Sequence, residues 1–217
     1  MRRRFDDKLS EIRDDILRMG SIVEEELTLA LKALKKRDID LAQQVIMIDD
    51  TVNEMRFGIE DKCVQLIATQ QPAASDLRAI VAVMNMIVDL ERMGDQTKGV
   101  AKLIPALEEA PDKWTRSKEI QQMGQLVGAM LRQAMTAYAT NNIELAGLIG
   151  DQDEEVDSLY ARVHAQVMEN MTETTKQKKV EASYDVLRAA RELERFGDLA
   201  TNVAERVIYI ATGQTHE

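Results

Sequence analysis

Apolar residues recur along this chain at intervals of three and four, the period of an amphipathic helix. Ile12, Ile16, Met19, Val23, Leu27, Ala30, Leu31 and Leu34 form one stripe and predict a first helix. Leu41, Val45, Ile48, Val52, Met55, Ile59 and Leu66 predict a second. A third is predicted from about Ser75 to Leu103, apolar on nearly every side between Ala79 and Val88 and therefore buried there. The plan then repeats, with helices predicted from about Ser117 to Thr140, Asn142 to Met171 and Lys178 to Ala211. Pro72, Pro105 and Pro111 fall between stripes, and proline inside a helix costs about 3 kcal/mol, so they mark junctions. No stretch alternates with the period of two that a half-buried strand needs. The expected fold is all-α: two tandem three-helix bundles made of six long antiparallel helices. Residues 1–104 would form the first bundle, 105–112 a linker and 113–217 the second.

An internal duplication underlies the repeated plan. Leu90-Glu91-Arg92-Met93-Gly94-Asp95 recurs as Leu193-Glu194-Arg195-Phe196-Gly197-Asp198, with only Met93 and Phe196 differing. Arg37-Asp38-Ile39-Asp40-Leu41-Ala42 matches Asn141-Asn142-Ile143-Glu144-Leu145-Ala146, and Asp49 and Val52 match Asp153 and Val156. On a helix, Glu91 and Asp95 lie on one face, as do Glu194 and Asp198. Two like charges four residues apart cost a few tenths of a kcal/mol, so a pattern that appears twice at that cost asks for a reason. Gly94 and Gly197 are expected to let a neighbouring helix approach closely.

Composition narrows the chemistry. Of 217 residues, 28 are Lys or Arg and 38 are Asp or Glu, a net charge of −10 that argues against nucleic acid as a partner. Cys63 is the only cysteine, so no internal disulfide can form. The longest apolar run, Ala79–Val88, is too short to span a bilayer, and no apolar segment follows the basic start, so the expected location is cytoplasmic. The twelve methionines are expected mainly as core fillers.

The candidate chemistry is acidic. Asp153 and Asp157 on the fifth helix, packed against Glu194 and Asp198 on the sixth, would bring four carboxylates together. In the first copy, Asp49 and Asn53 would meet Glu91 and Asp95, with Asp50 and Glu54 as a shifted alternative. Asn202 and Glu205 continue the acidic stripe of the sixth helix. Oxygen clusters at the edge of a helical core bind hard or borderline cations: Fe, Zn, Mg, Mn or Ca. The competing reading is structural, with Asp favoured near a helix N-terminus and Arg92 and Arg195 pairing with the acids. His164 could extend the second cluster or simply face solvent. No phosphate loop, nucleophile elbow or His-Glu-x-x-His motif is present, so nucleophilic or nucleotide-dependent catalysis has no visible equipment. A di-metal bundle enzyme is the alternative class, and its Glu-x-x-His spacing is missing. A metal-free dimeric scaffold is the third.

Three segments resemble the PhoU family of accessory regulators of bacterial phosphate-specific transport. They are Gln71-Pro-Ala-Ala-Ser-Asp-Leu-Arg78, Asp89–Asp95 and Glu192–Gly213. The resemblance implies two tandem three-helix bundles and a cytoplasmic, often dimeric protein that is not an enzyme. It implies a negative regulator of the phosphate-starvation response, linking the ATPase subunit of the phosphate ABC transporter to a membrane sensor histidine kinase. Contact with the membrane would then come only through partners. It also implies metal clusters at acid-x-x-x-Asp motifs, which land on Glu91/Asp95, Glu194/Asp198 and Asp153/Asp157. The first copy departs from the pattern, with Gly99 where the second has Asn202, Lys102 where it has Glu205, and Asn53 where it has Asp157. Its site is expected to be weaker or differently occupied.

Overall fold

The computed structural model describes residues 2–109, 117–173 and 176–214. Among them the regular structure is helical throughout. Helix α1 spans Arg2–Lys36, α2 Ile39–Gln70 and α3 Ala74–Leu103. A 3-10 turn at Ile104–Glu109 follows; Ile104 and Leu107 are buried in it while Pro105 and Ala106 are exposed, so Leu107 anchors the first half of the expected linker to the core. Residues 110–112 of that linker lie outside the described residues. Helix α4 spans Lys118–Thr140. The fifth predicted helix is not continuous: α5 covers Ile143–Gly147 and α6 resumes at Ile149–Thr172. Gly147 and Gly150 flank the break, and glycine costs a helix about 1 kcal/mol relative to alanine. Helix α7 spans Gln177–Thr212 and ends on Gly213, whose φ of 72° lets its N–H reach back to the Tyr209 carbonyl at 2.8 Å.

The duplication is visible in the turns. Arg37 and Asn141 both adopt left-handed backbone, with φ of 55° and 51°. The next residue caps the following helix in each copy: Asp38 accepts from the Leu41 N–H at 3.0 Å and Asn142 from the Leu145 N–H at 2.9 Å. These matched turns fix the register between α1 and α4. Eleven residues before the turn stand Glu26 in one copy and Met130 in the other, and both are fully buried.

Helices α1, α2 and α3 pack together as one bundle, and α4, α6 and α7 as the other. The bundles meet most extensively where α3 lies against α7, and again where α1 crosses α4. At the second crossing Arg13 donates to the Tyr138 and Ala139 carbonyls, and Arg132 pairs with Glu24 at 2.8 Å. The apolar core runs without interruption through both bundles, from Ile12 and Ile16 to Val203 and Val207. Six of the methionines (19, 86, 93, 123, 130 and 135) sit in it. Burying each large side chain contributes about 1.5–3 kcal/mol, which ties the two copies into one unit. Cys63 is buried, and burial pushes its thiol up to about 11, so it is inert as a nucleophile at neutral pH. Among the described residues no helix is long and apolar enough to cross a membrane.

Candidate functional site

In the second copy, α6 supplies Asp153 and Asp157, and α7 supplies Glu194 and Asp198. Gly197 is what lets the helices close. A Cβ there would lie 3.1 Å from Asp153 Oδ1 and 3.5–3.6 Å from the γ-methyls of Val127 and Val156. The carboxylates feel one another. Burial raises Asp153, and the charges of Asp198 and Asp157 push it further, to about 6. Burial also raises Glu194 and Asp198, with Asp198 and Asp157 acting on the first and Asp157 on the second. Arg191 donates to Glu194 Oε1 at 3.1 Å. Asp153 Oδ1 and Glu194 Oε2 are buried with no hydrogen-bond partner. The charges of Arg191 and Arg195 oppose the four carboxylates, which still leaves excess negative charge and orphan oxygen donors, a set whose chemistry suits a hard cation. As the side chains stand, no group of three or more His, Cys, Asp or Glu among the described residues could hold a metal ion. Asp157 and Asp198 are exposed.

The first copy has the same frame and a different content. Asp49 is fully buried on α2; its Oδ2 accepts from Asn53 Nδ2 at 3.0 Å and from Lys98 Nζ at 2.6 Å. Glu26 reaches in from α1, fully buried, and neither of its carboxyl oxygens has a hydrogen-bond partner. A Cβ at Gly94 would lie 3.1 Å from Asp49 Oδ1 and 3.2 Å from Glu26 Oε2, so this glycine makes room for both acids. Burial is the main force on Glu26, followed by the Asp49 charge; Lys98 opposes them and Asp95 adds to them, and the carboxyl is driven up to about 9. Glu26 is therefore neutral at pH 7, while the hydrogen bond to Asp49 holds Lys98 as ammonium. Glu91 is half-buried and Asp95 exposed; burial raises both, with the Asp95 and Asp49 charges adding to the rise of Glu91 and the Asp49 charge to that of Asp95. Asp50 and Glu54, the shifted alternative, are exposed.

Asn202 and Glu205 belong to a different contact. Burial raises the Asp89 carboxyl of α3 overall; the charges of Arg206 and Arg92 and then a hydrogen bond from the Asn202 side-chain amide act to lower it, and the nearby Glu205 charge adds to the rise. The pseudo-symmetric position of Asp89 is Glu192, five residues before the repeat glycine in each copy. Glu192 packs on Gly99, whose Cβ would meet its carboxyl carbon at 3.0 Å. Gly99 and Asn202 are thus a matched pair across the α3–α7 seam: the longer acid faces the glycine and the shorter faces the amide. His164 is exposed and stands against Tyr160, with ring centroids 6.4 Å apart. Sequence reading missed Glu26, Lys98 and Asp89. A signal existed for Glu26: in the run Glu24-Glu25-Glu26 the last falls between Val23 and Ala30 on the buried stripe.

These features define a class: an all-α tandem repeat of three-helix bundles, with an acidic cluster at equivalent places in each copy. A family model described as the PhoU domain matches residues 16–104 and 120–207. The phosphate-specific transport system accessory protein PhoU homolog of Clostridium acetobutylicum is 37% identical over 214 residues, covering 98% of this chain and 96% of that protein. The Pseudomonas aeruginosa homolog of the same description is 36% identical over 96% of this chain and 86% of its own length. The crystal structure of PhoU from P. aeruginosa superposes with a TM-score of 0.91 at 35% identity, covering 97% of this chain and all of that one. That of the phosphate transport system regulatory protein PhoU from Streptococcus pneumoniae gives 0.89 at 31% identity, over 98% and 99%. The chain belongs to the PhoU family.

Proposed function

We propose that this chain is a cytoplasmic negative regulator of phosphate uptake and of the phosphate-starvation response, acting by binding rather than by catalysis. The observation that carries this reading is the end-to-end match to relatives named as accessory or regulatory proteins of phosphate transport. In this reading a homodimer links the ATPase subunit of the phosphate ABC transporter to a sensor histidine kinase. Purified chain should capture one or both of those proteins in pull-downs at high or low phosphate. Failure to capture either in any phosphate or metal condition would sink the adaptor role.

The second-copy cluster of Asp153, Asp157, Glu194 and Asp198 is proposed to hold a metal ion, Fe, Zn, Mg, Mn or Ca. Its orphan oxygens and excess negative charge support this. The ion would supply positive charge that ties α6 to α7, a structural or sensing role. Protein purified without chelator should contain metal, and Glu194→Ala combined with Asp198→Ala should lose most of it. Metal content unchanged in that double variant would reject these ligands.

A further inference from the structure

The two acidic clusters differ most at a position four residues after the repeat glycine, which is Lys98 in the first copy and Thr201 in the second. Thr201 merely returns its hydroxyl to the Gly197 carbonyl at 3.4 Å. Lys98 instead lays its ammonium 2.6 Å from Asp49 Oδ2, and Asp49 is entirely withdrawn from water. That ammonium occupies one of the two Asp49 oxygens; the other, Oδ1, is buried without a hydrogen-bond partner beside Glu26 Oε2 at Gly94. The first copy otherwise has the more buried set of carboxyl oxygens, since Glu26, neutral at pH 7 until a cation displaces its proton, joins Asp49, Glu91 and Asp95, and its two oxygens are buried without partners. In the second copy the place of Glu26 is taken by Met130, so no acid enters from α4.

We propose that the Lys98 ammonium is the first copy's resident cation: it closes that cluster to metal ions, and its removal would open a divalent-cation site built from Glu26, Asp49 and Asp95. The expected difference between the two copies rests on reading the second cluster as an ion site; the role of Lys98 does not. An ammonium at hydrogen-bond distance occupies one carboxylate oxygen and repels an incoming dication from the rest of the cluster, while a tethered charge needs no ion uptake. Lys102, whose charge also acts on Asp95, adds to the repulsion.

The test uses the full-length chain with Mn2+ alone as probe, in the Glu194→Ala, Asp198→Ala background that removes the second cluster. That background should bind little Mn2+. Adding Lys98→Met should raise apparent Mn2+ affinity about tenfold or more, and a further Asp49→Asn should abolish the gain. Lys98→Gln serves as a second variant, with helical content and melting checked by circular dichroism. Mn2+ binding by the background that disappears with Asp49→Asn would overturn the proposal, because the first cluster would then bind despite Lys98. No gain in either folded Lys98 variant would overturn it as well. If the otherwise unaltered chain binds no Mn2+, the second cluster does not take that ion, and a gain on Lys98→Met still upholds the role of Lys98.

Discussion

Glu26→Met raises the melting temperature most at alkaline pH and removes much of the fall in stability between about pH 5 and 9. The cause is the raised carboxyl. Its ordinary value is 4.5 in the open chain and about 9 in the folded protein, so across that window the native state holds a proton that the unfolded chain has given up. A state that binds more protons loses ground as pH rises. The group's stabilising contribution is complete below about pH 4.5 and declines until the folded carboxyl itself ionises near 9. One proton accounts for about 1.4 kcal/mol per pH unit, so at pH 7 the penalty is on the order of 3 kcal/mol. Methionine is the residue that fills the equivalent buried place at Met130, so the exchange keeps volume close to native and leaves the Asp49–Lys98 pair intact. The groups facing Glu26 are Asp49, Lys98 and Asp95, and none is altered. Urea unfolding at pH 5.5, 7 and 8.5 measures the effect. Parallel stability curves for the two proteins across that range would show that Glu26 does not titrate in the folding reaction.

That residue also shows where sequence reading stops. The all-α class, the stripes of the core and the duplicated plan were legible because helical burial writes itself at a spacing of three and four. The acid pairs on α6 and α7 were legible for the same reason: Asp153 and Asp157 match Glu194 and Asp198 by spacing alone, and Gly197 announced the close approach that the structure confirms. Glu26 was passed over although its spacing put it on the buried stripe, because an acid there reads as the stripe's polar edge until a neighbouring helix covers it. Lys98 was not legible, because its partner Asp49 is on another helix and long flexible side chains carry no period. Asn202 and Glu205 were assigned to the acidic face, yet they sit where α7 meets α3. Packing between the two bundles is a second use of helix surface, and one stripe cannot reveal two neighbours. The break after Gly147 was likewise hidden, since the apolar period runs on through α5 and α6.

Phe196→Ala is expected to cost about 3–5 kcal/mol, while Phe196→Met costs less than about 1.5 kcal/mol. Phe196 is among the largest side chains fully withdrawn from water, and the repeat puts Met93, also fully buried, at the equivalent place. Alanine removes a ring from a close-packed core and leaves a cavity that long, mutually packed helices can close only in part. Methionine is the solution the first copy already uses, and its flexible thioether can fill most of the same space. For a chain of this size, each kcal/mol shifts the melting temperature by roughly 2–4 °C, so the two variants should separate by several degrees. The cluster should report the same difference. Glu194, Gly197 and Asp198 stand within two residues of Phe196 on α7, and the approach of α6 brings Asp153 against Gly197. If the cluster holds an ion as proposed, loosening the core beneath it should weaken ion uptake by the alanine variant and spare it in the methionine variant. Equal melting temperatures for the two would mean that the bundles relax around the missing ring, and that the second copy's acids are not held in place by the core below them.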